Sequence, residues 1–282
     1  MTAAGSAARA AAAAARHRQV TADLREETRS LQEVLDGIAP QDWPAPTPAV
    51  GWTVQDQVNH LAYFDEATVL AAADPARFRA EAAELGAAGD DFPDRLVRGH
   101  RDLTWERSAT WFARARADLL GFASDAPAGG RLPWYGPDMS TTSAVTARLM
   151  ETWAHGQDIA DALGVNREAT DRLRHVAHLG VATRAFSFRL RGQTPPGDDV
   201  AVELTAPSGV VWRWGDPAAA DSVSGTALDF CLVVTQRRHL SDTALTVTGG
   251  VAARWMAVAQ AFAGVPGPGR RPLTGDRTED PR

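Results

Sequence analysis

The chain has no lysine: all 29 of its basic residues are arginine. A Schiff-base lysine mechanism is thereby excluded. Alanine is abundant as well, and both biases are read as GC-rich coding, with no function drawn from them. There is one cysteine, Cys231, so no disulfide can form within the chain, and a reducing, cytoplasmic setting is expected. Cys231 lies between Phe230 and Leu232, which reads as a buried structural thiol rather than a nucleophile. Any thiol chemistry must draw its thiol from outside. No run reaches the roughly eighteen apolar residues of a membrane span. The net charge of −6 lacks the clustered basic excess that a nucleic-acid surface needs. No Gly-x-Gly-x-x-Gly or Gly-x-x-x-x-Gly-Lys run occurs, so nothing points to nucleotide cradling. The Ala-rich opening, Thr2 to Arg16, is too weakly apolar for a signal peptide and no basic leader precedes it. It reads as a frayed tail or a helix extension.

What is present is ordinary for a globular protein: 282 residues, 44% hydrophobic and 23% charged, enough for one large domain or two ordinary ones. Apolar spacing predicts helices over about 17–38, 54–73, 104–123 and 141–163, with shorter pieces near 78–85 and 94–100. Thr53 is a good N-cap, with Asp56 as its acidic partner. Gly164 is a good C-cap. The Ala126-to-Ser140 stretch reads as a Gly/Pro-rich loop carrying Trp134 and Tyr135. Four long helices suggest a bundle, and bundles place metal sites between facing helices. After Gly164 the pattern changes. A helix is expected over about 170–191, strands over 200–204 and 210–214, a helix over 226–238, a strand over 245–248 and a helix over 251–262. This is an α+β arrangement.

Glu151-Thr152-Trp153-Ala154-His155 sets a carboxylate and an imidazole four apart, on one helix face. His60 lies in a second helix, sharing a side with Phe64. Two histidines and a glutamate would make three protein ligands of an open divalent metal site. By spacing alone, a solvated Glu–His pair is the more common meaning of Glu-x-x-x-His. The surrounding residues add to it. Gly51-Trp52-Thr53…His60-Leu61-Ala62, followed some ninety residues on by Glu151-Thr152-Trp153-Ala154-His155-Gly156-Gln157-Asp158, resembles the mycothiol-dependent maleylpyruvate isomerase family of the DinB-like metal-binding superfamily. The similarity runs from about His17 to Gly264. It is closest to a branch known only as metal-binding proteins, whose members carry a segment like Pro133-Trp134-Tyr135-Gly136-Pro137-Asp138-Met139-Ser140.

The resemblance implies His60, Glu151 and His155 as metal ligands and mycothiol or a similar thiol as cosubstrate. It also implies an α+β fold: a frayed or disordered tail at 1–15, a DinB-like four-helix bundle over 16–165, a smaller α+β domain over 166–265 and a disordered tail at 266–282. Zinc is the first choice of metal, with nickel, manganese or iron also compatible with nitrogen and oxygen ligands. In the resembled family a thiol adds to an unsaturated diacid, the carbon–carbon bond rotates and the thiol leaves; relatives use the same activation for thiol transfer. A longer N-terminal tail, the 75–102 region and the Trp134–Tyr135 loop depart from the isomerase proper and weigh against maleylpyruvate as the substrate.

Other side chains are weighed against plainer roles. Asp158, three residues past His155, is a base or an orienting group, or else a surface aspartate. Arg148, three before Glu151, is a carboxylate clamp or an internal ion pair. Trp134 and Tyr135 close over the site or pack at a bundle end. His175 and His178 read as surface or interdomain residues, and His17, His100 and His239 as exposed. The leading expectation is a thiol-using isomerase or S-transferase acting on a small electrophile, as a monomer or homodimer, with no nucleic-acid or membrane partner. The alternative is a non-catalytic metal- or small-molecule-binding protein on the same bundle.

Overall fold

A computed structural model describes residues 3–89 and 91–273. It divides into two units, residues 1–167 and 168–282.

In the first unit, α1 (Ala3–Asp36), α2 (Val54–Ala73), α5 (Trp105–Asp125) and α6 (Thr141–Leu163) are the long helices, with α3 (Pro75–Ala87) and α4 (Phe92–Gly99) between α2 and α5. Of the two readings of the Ala-rich opening, the helix extension holds and the frayed tail does not: it forms the first four turns of α1. Alanine has the highest helix propensity, and the run extends a helix that is already nucleated by packing beyond it. His17, expected to be exposed, is buried. Its ring bonds the Ala123 carbonyl at 2.8 Å and the Thr142 hydroxyl at 3.1 Å, which pins α1 to α5 and α6.

α2 begins as expected. The Thr53 hydroxyl accepts from the Asp56 amide, and the Asp56 carboxylate accepts from the Thr53 amide at 2.9 Å. α6 is capped by Ser140 and ends at Gly164, where φ of +65° is a backbone that glycine adopts without cost. α2 packs on α5 and α6, and α1 on α6 and α5. Leu31, Leu35, Trp43, Val58, Leu61 and Phe112 form part of the core between them. The predicted loop before α6 carries a short antiparallel ladder, β1 (Arg131–Leu132) with β2 (Met139–Ser140), which holds the 133–138 segment as a closed excursion.

A buried ionic hub ties these helices together. Asp65 of α2 takes Arg116 Nε of α5 on one oxygen at 2.7 Å and Arg148 Nε of α6 on the other at 3.1 Å. Arg116 Nη1 then donates to Thr28 of α1 at 2.7 Å.

The second unit holds a four-stranded sheet in the order β4-β3-β5-β6: β3 (Val200–Thr205), β4 (Val211–Trp214), β5 (Asp221–Thr226) and β6 (Thr246–Thr248). β3 and β5 are parallel and the other pairs antiparallel. β5, inside the sheet, escaped the sequence reading, because Asp221-Ser-Val-Ser-Gly-Thr offers one large apolar side chain, Val223. The helix expected over 170–191 is broken into α7 (Leu173–Ala182) and α8 (Arg184–Arg189). Between the two, Thr183 keeps its amide on the Leu179 carbonyl at 2.9 Å, and its hydroxyl donates to the same carbonyl at 2.7 Å. α9 (Ala227–Val234) and α10 (Gly250–Val258) pack on β5. α7 meets α9 at Gly180, where a Cβ would lie 2.7 Å from Val234 Cγ2, so only glycine allows that approach. Residues 266–273, expected as disordered, form no helix or strand but are tied down at Leu273, whose amide donates to Asp242. Residues 274–282 lie outside the described residues.

Candidate metal centre

α2 and α6 bring His60, Glu151 and His155 together. One ligand atom from each lies within 4.8 Å of the others, the one such cluster of three or more among the described residues. Glu151 Oε2 is 3.0 Å from His155 Nε2 and 3.7 Å from His60 Nε2. The two imidazole rings are 4.3 Å apart, centre to centre. All three side chains are largely buried, at 10–18% exposure.

Burial holds the His60 ring neutral. Desolvation and the neighbouring His155 push its pKa down to about 3. For Glu151 burial acts the other way, but the close contacts with His155 and His60 outweigh it and hold the carboxyl well below the usual carboxylate range. A neutral imidazole and an ionised carboxylate are the protonation states that ligate metals. Two nitrogens and one oxygen converging in a desolvated pocket therefore fit a divalent cation of the zinc type.

Aromatic rings wall the cluster. Trp52 stacks on His155 at 5.9 Å and lies 5.2 Å from His60, and Phe64 lies 4.5 Å from His60. The Trp52 indole N–H donates to Asp94 of α4 at 2.6 Å. Behind it, Arg101 donates to both the Gly51 carbonyl and Asp56. The region between α2 and α5 thus secures the loop that carries Trp52, a role no spacing in the sequence announces. Gln57 was also missed. It sits one turn before His60 on α2, and its side-chain oxygen accepts from His155 Nδ1. The shared helix face of residues three apart was the available signal.

Asp158 is buried, at 1% exposure, which removes the surface-aspartate reading. Arg148 is in the hub with Asp65, so its Nε is committed to an internal ion pair. Its Nη2 is buried without a hydrogen-bond partner among the described residues, and its guanidinium lies 5.9 Å from the centre of the Phe64 ring. Trp134 and Tyr135 join one aromatic cluster with Phe64, Phe78 and Phe92: Trp134 stacks on Phe78 at 5.8 Å, and Tyr135 lies 5.6 Å from Phe64. Phe64 therefore touches both the cluster and the His60 ring.

Fold and site together define a helical-bundle protein with a two-histidine, one-glutamate centre and a second, α+β unit. Residues 24–160 match the family description "Mycothiol maleylpyruvate isomerase N-terminal domain". Two uncharacterised proteins, from two strains of Mycobacterium tuberculosis, are each 44% identical over 249 residues, spanning 88% of this chain and 97% of theirs. Among solved structures, the crystal structure of the mycothiol-dependent maleylpyruvate isomerase aligns with a TM-score of 0.55 at 14% identity, over 82% of this chain and 92% of that one. A histidine-to-alanine mutant of that enzyme aligns over the same shares, at 0.56 and 15%. The chain belongs to the mycothiol-dependent maleylpyruvate isomerase family.

Proposed function

We propose that this protein is a divalent-metal-dependent enzyme that activates a low-molecular-weight thiol, mycothiol or a close analogue, for isomerisation or S-transfer on a small electrophile. The observation that carries the reading is the convergence of His60 Nε2, Glu151 Oε2 and His155 Nε2 from two helices. His60, Glu151 and His155 would hold the cation, which when bound would supply the Lewis acidity that favours a thiolate at neutral pH. Zinc is the metal best suited to the donor set, with nickel, manganese and iron as alternatives.

The chain's own residues do the remaining work. Trp52 and Phe64 keep bulk water from the ligands, which strengthens every electrostatic interaction inside. Arg148 turns its unshared Nη2 to an anionic group of the substrate, while Asp65 fixes the guanidinium in place. Asp158, buried one turn beyond His155, serves as the base or orienting carboxylate. Trp134 and Tyr135 wall the substrate side through Phe64.

The test is turnover. The metal-loaded protein is incubated with mycothiol and a panel of small electrophiles that includes maleylpyruvate. The expected result is thiol-dependent consumption of at least one electrophile, abolished in Glu151→Ala. Metal retention with no thiol-dependent reaction across the panel would point instead to a binding protein on the same bundle.

A further inference from the structure

We infer that Thr47 and Gln57 are positioning residues that fix the proton of the His155 ring on Nδ1, so that Nε2 presents its lone pair to Glu151 and His60. Three hydrogen bonds carry the proton count. Both the amide and the hydroxyl of Thr47 point to the Trp52 carbonyl, at 2.8 and 2.9 Å, and the Ala49 carbonyl lies 3.5 Å from the same hydroxyl. A hydroxyl has one proton, and here it goes to a backbone oxygen that can only accept. Toward Gln57, Thr47 Oγ1 is therefore an acceptor, and the Gln57 amide nitrogen donates to it at 2.9 Å. A side-chain amide has one donor face and one acceptor face, and its orientation follows from such a network. With nitrogen turned to Thr47, the Gln57 oxygen must face His155, and it accepts the hydrogen bond from Nδ1. Gln57 is fully buried, so the amide has no bulk water to turn toward.

A neutral imidazole protonated at Nδ1 has its lone pair on Nε2. That atom lies 3.0 Å from Glu151 Oε2, with His60 Nε2 3.7 Å from the same oxygen. A lone pair aimed at a carboxylate oxygen is the arrangement that a bound cation would resolve, and a hydrogen bond at the far ring nitrogen is the usual device for aiming a histidine ligand. The relay ends on the backbone of Trp52, whose indole covers both imidazoles. One loop thus sets the ring's proton through its carbonyl and shields the ring through its side chain. The consequence for metal affinity rests on the metal reading above; the position of the proton does not.

The experiment has two arms. Nitrogen-15 histidine NMR on the metal-free wild type, at a pH high enough to empty the imidazolium form, should find His155 protonated at Nδ1. Zinc affinity, by competition with a chromophoric chelator, is then compared across the wild type and four variants. Gln57→Leu should weaken zinc by about 10–100-fold. Thr47→Val, of the same shape as threonine, should weaken it less and give mixed tautomers. Gln57→Glu should keep the affinity, because a carboxylate accepts through either oxygen. Adding Thr47→Val to Gln57→Glu should then cost nothing more, a non-additivity that a packing role would not produce. A neutral His155 protonated at Nε2 in the wild type, or an equal cost of Thr47→Val in both backgrounds, would overturn the inference. Should the wild type bind no zinc, the metal reading falls, and the NMR arm still decides the relay.

Discussion

Asp65 answers two guanidiniums with one carboxylate, and all three side chains are buried. Removing the acid would leave Arg116 and Arg148 without their counter-charge in a desolvated core. Loss of one partner of a buried pair costs about 3–5 kcal/mol, and Asp65→Ala is expected to lower unfolding stability in urea by about that much. Arg148 is legible in part: its spacing to Glu151 places it on the right helix face, but nothing in the sequence names Asp65, 83 residues away, as its partner. Cys231 was fully legible from its apolar neighbours. Burial pushes its thiol well above the usual range, so the folded protein should resist a thiol-alkylating reagent at neutral pH and react once denatured. Rapid labelling of the native chain would contradict that placement.

At the scale of elements, local chemistry and tertiary context divide the credit. α2 is legible because its capping box is local. Thr53→Ala removes a side-chain cap and is expected to cost about 1 kcal/mol, measured as a shift of the thermal midpoint with the circular dichroism spectrum otherwise intact. α6 is legible from its apolar period and its stop at Gly164, while its Ser140 cap emerges only from the structure. The continuous helix expected over 170–191 is interrupted at Thr183, and the apolar period carries no mark of that interruption. β5 fails because its place inside a sheet comes from pairing with β3 and β6, and not from its own composition. α4 was expected as a short helix, yet its work, holding Trp52 through Asp94 across 42 residues, is long-range and left no trace in the pattern.

At the scale of the molecule, the convergence of His60, Glu151 and His155 was legible because two of them share a helix and the third lies in a motif-bearing segment. The groups that aim and shelter it were not. Gln57, Thr47 and Trp52 act through bonds and ring contacts that only the closed loop before α2 creates. His60, Glu151 and His155 all lie in the first unit, so the proposed centre is a property of the bundle. The most direct test is metal content by mass spectrometry on the purified wild type and on His155→Ala, after the same zinc reconstitution. About one metal per wild-type chain, lost in the variant, is the predicted result. A wild type that holds no metal, or a variant that holds as much as the wild type, would contradict the assignment of His60, Glu151 and His155 as its ligands.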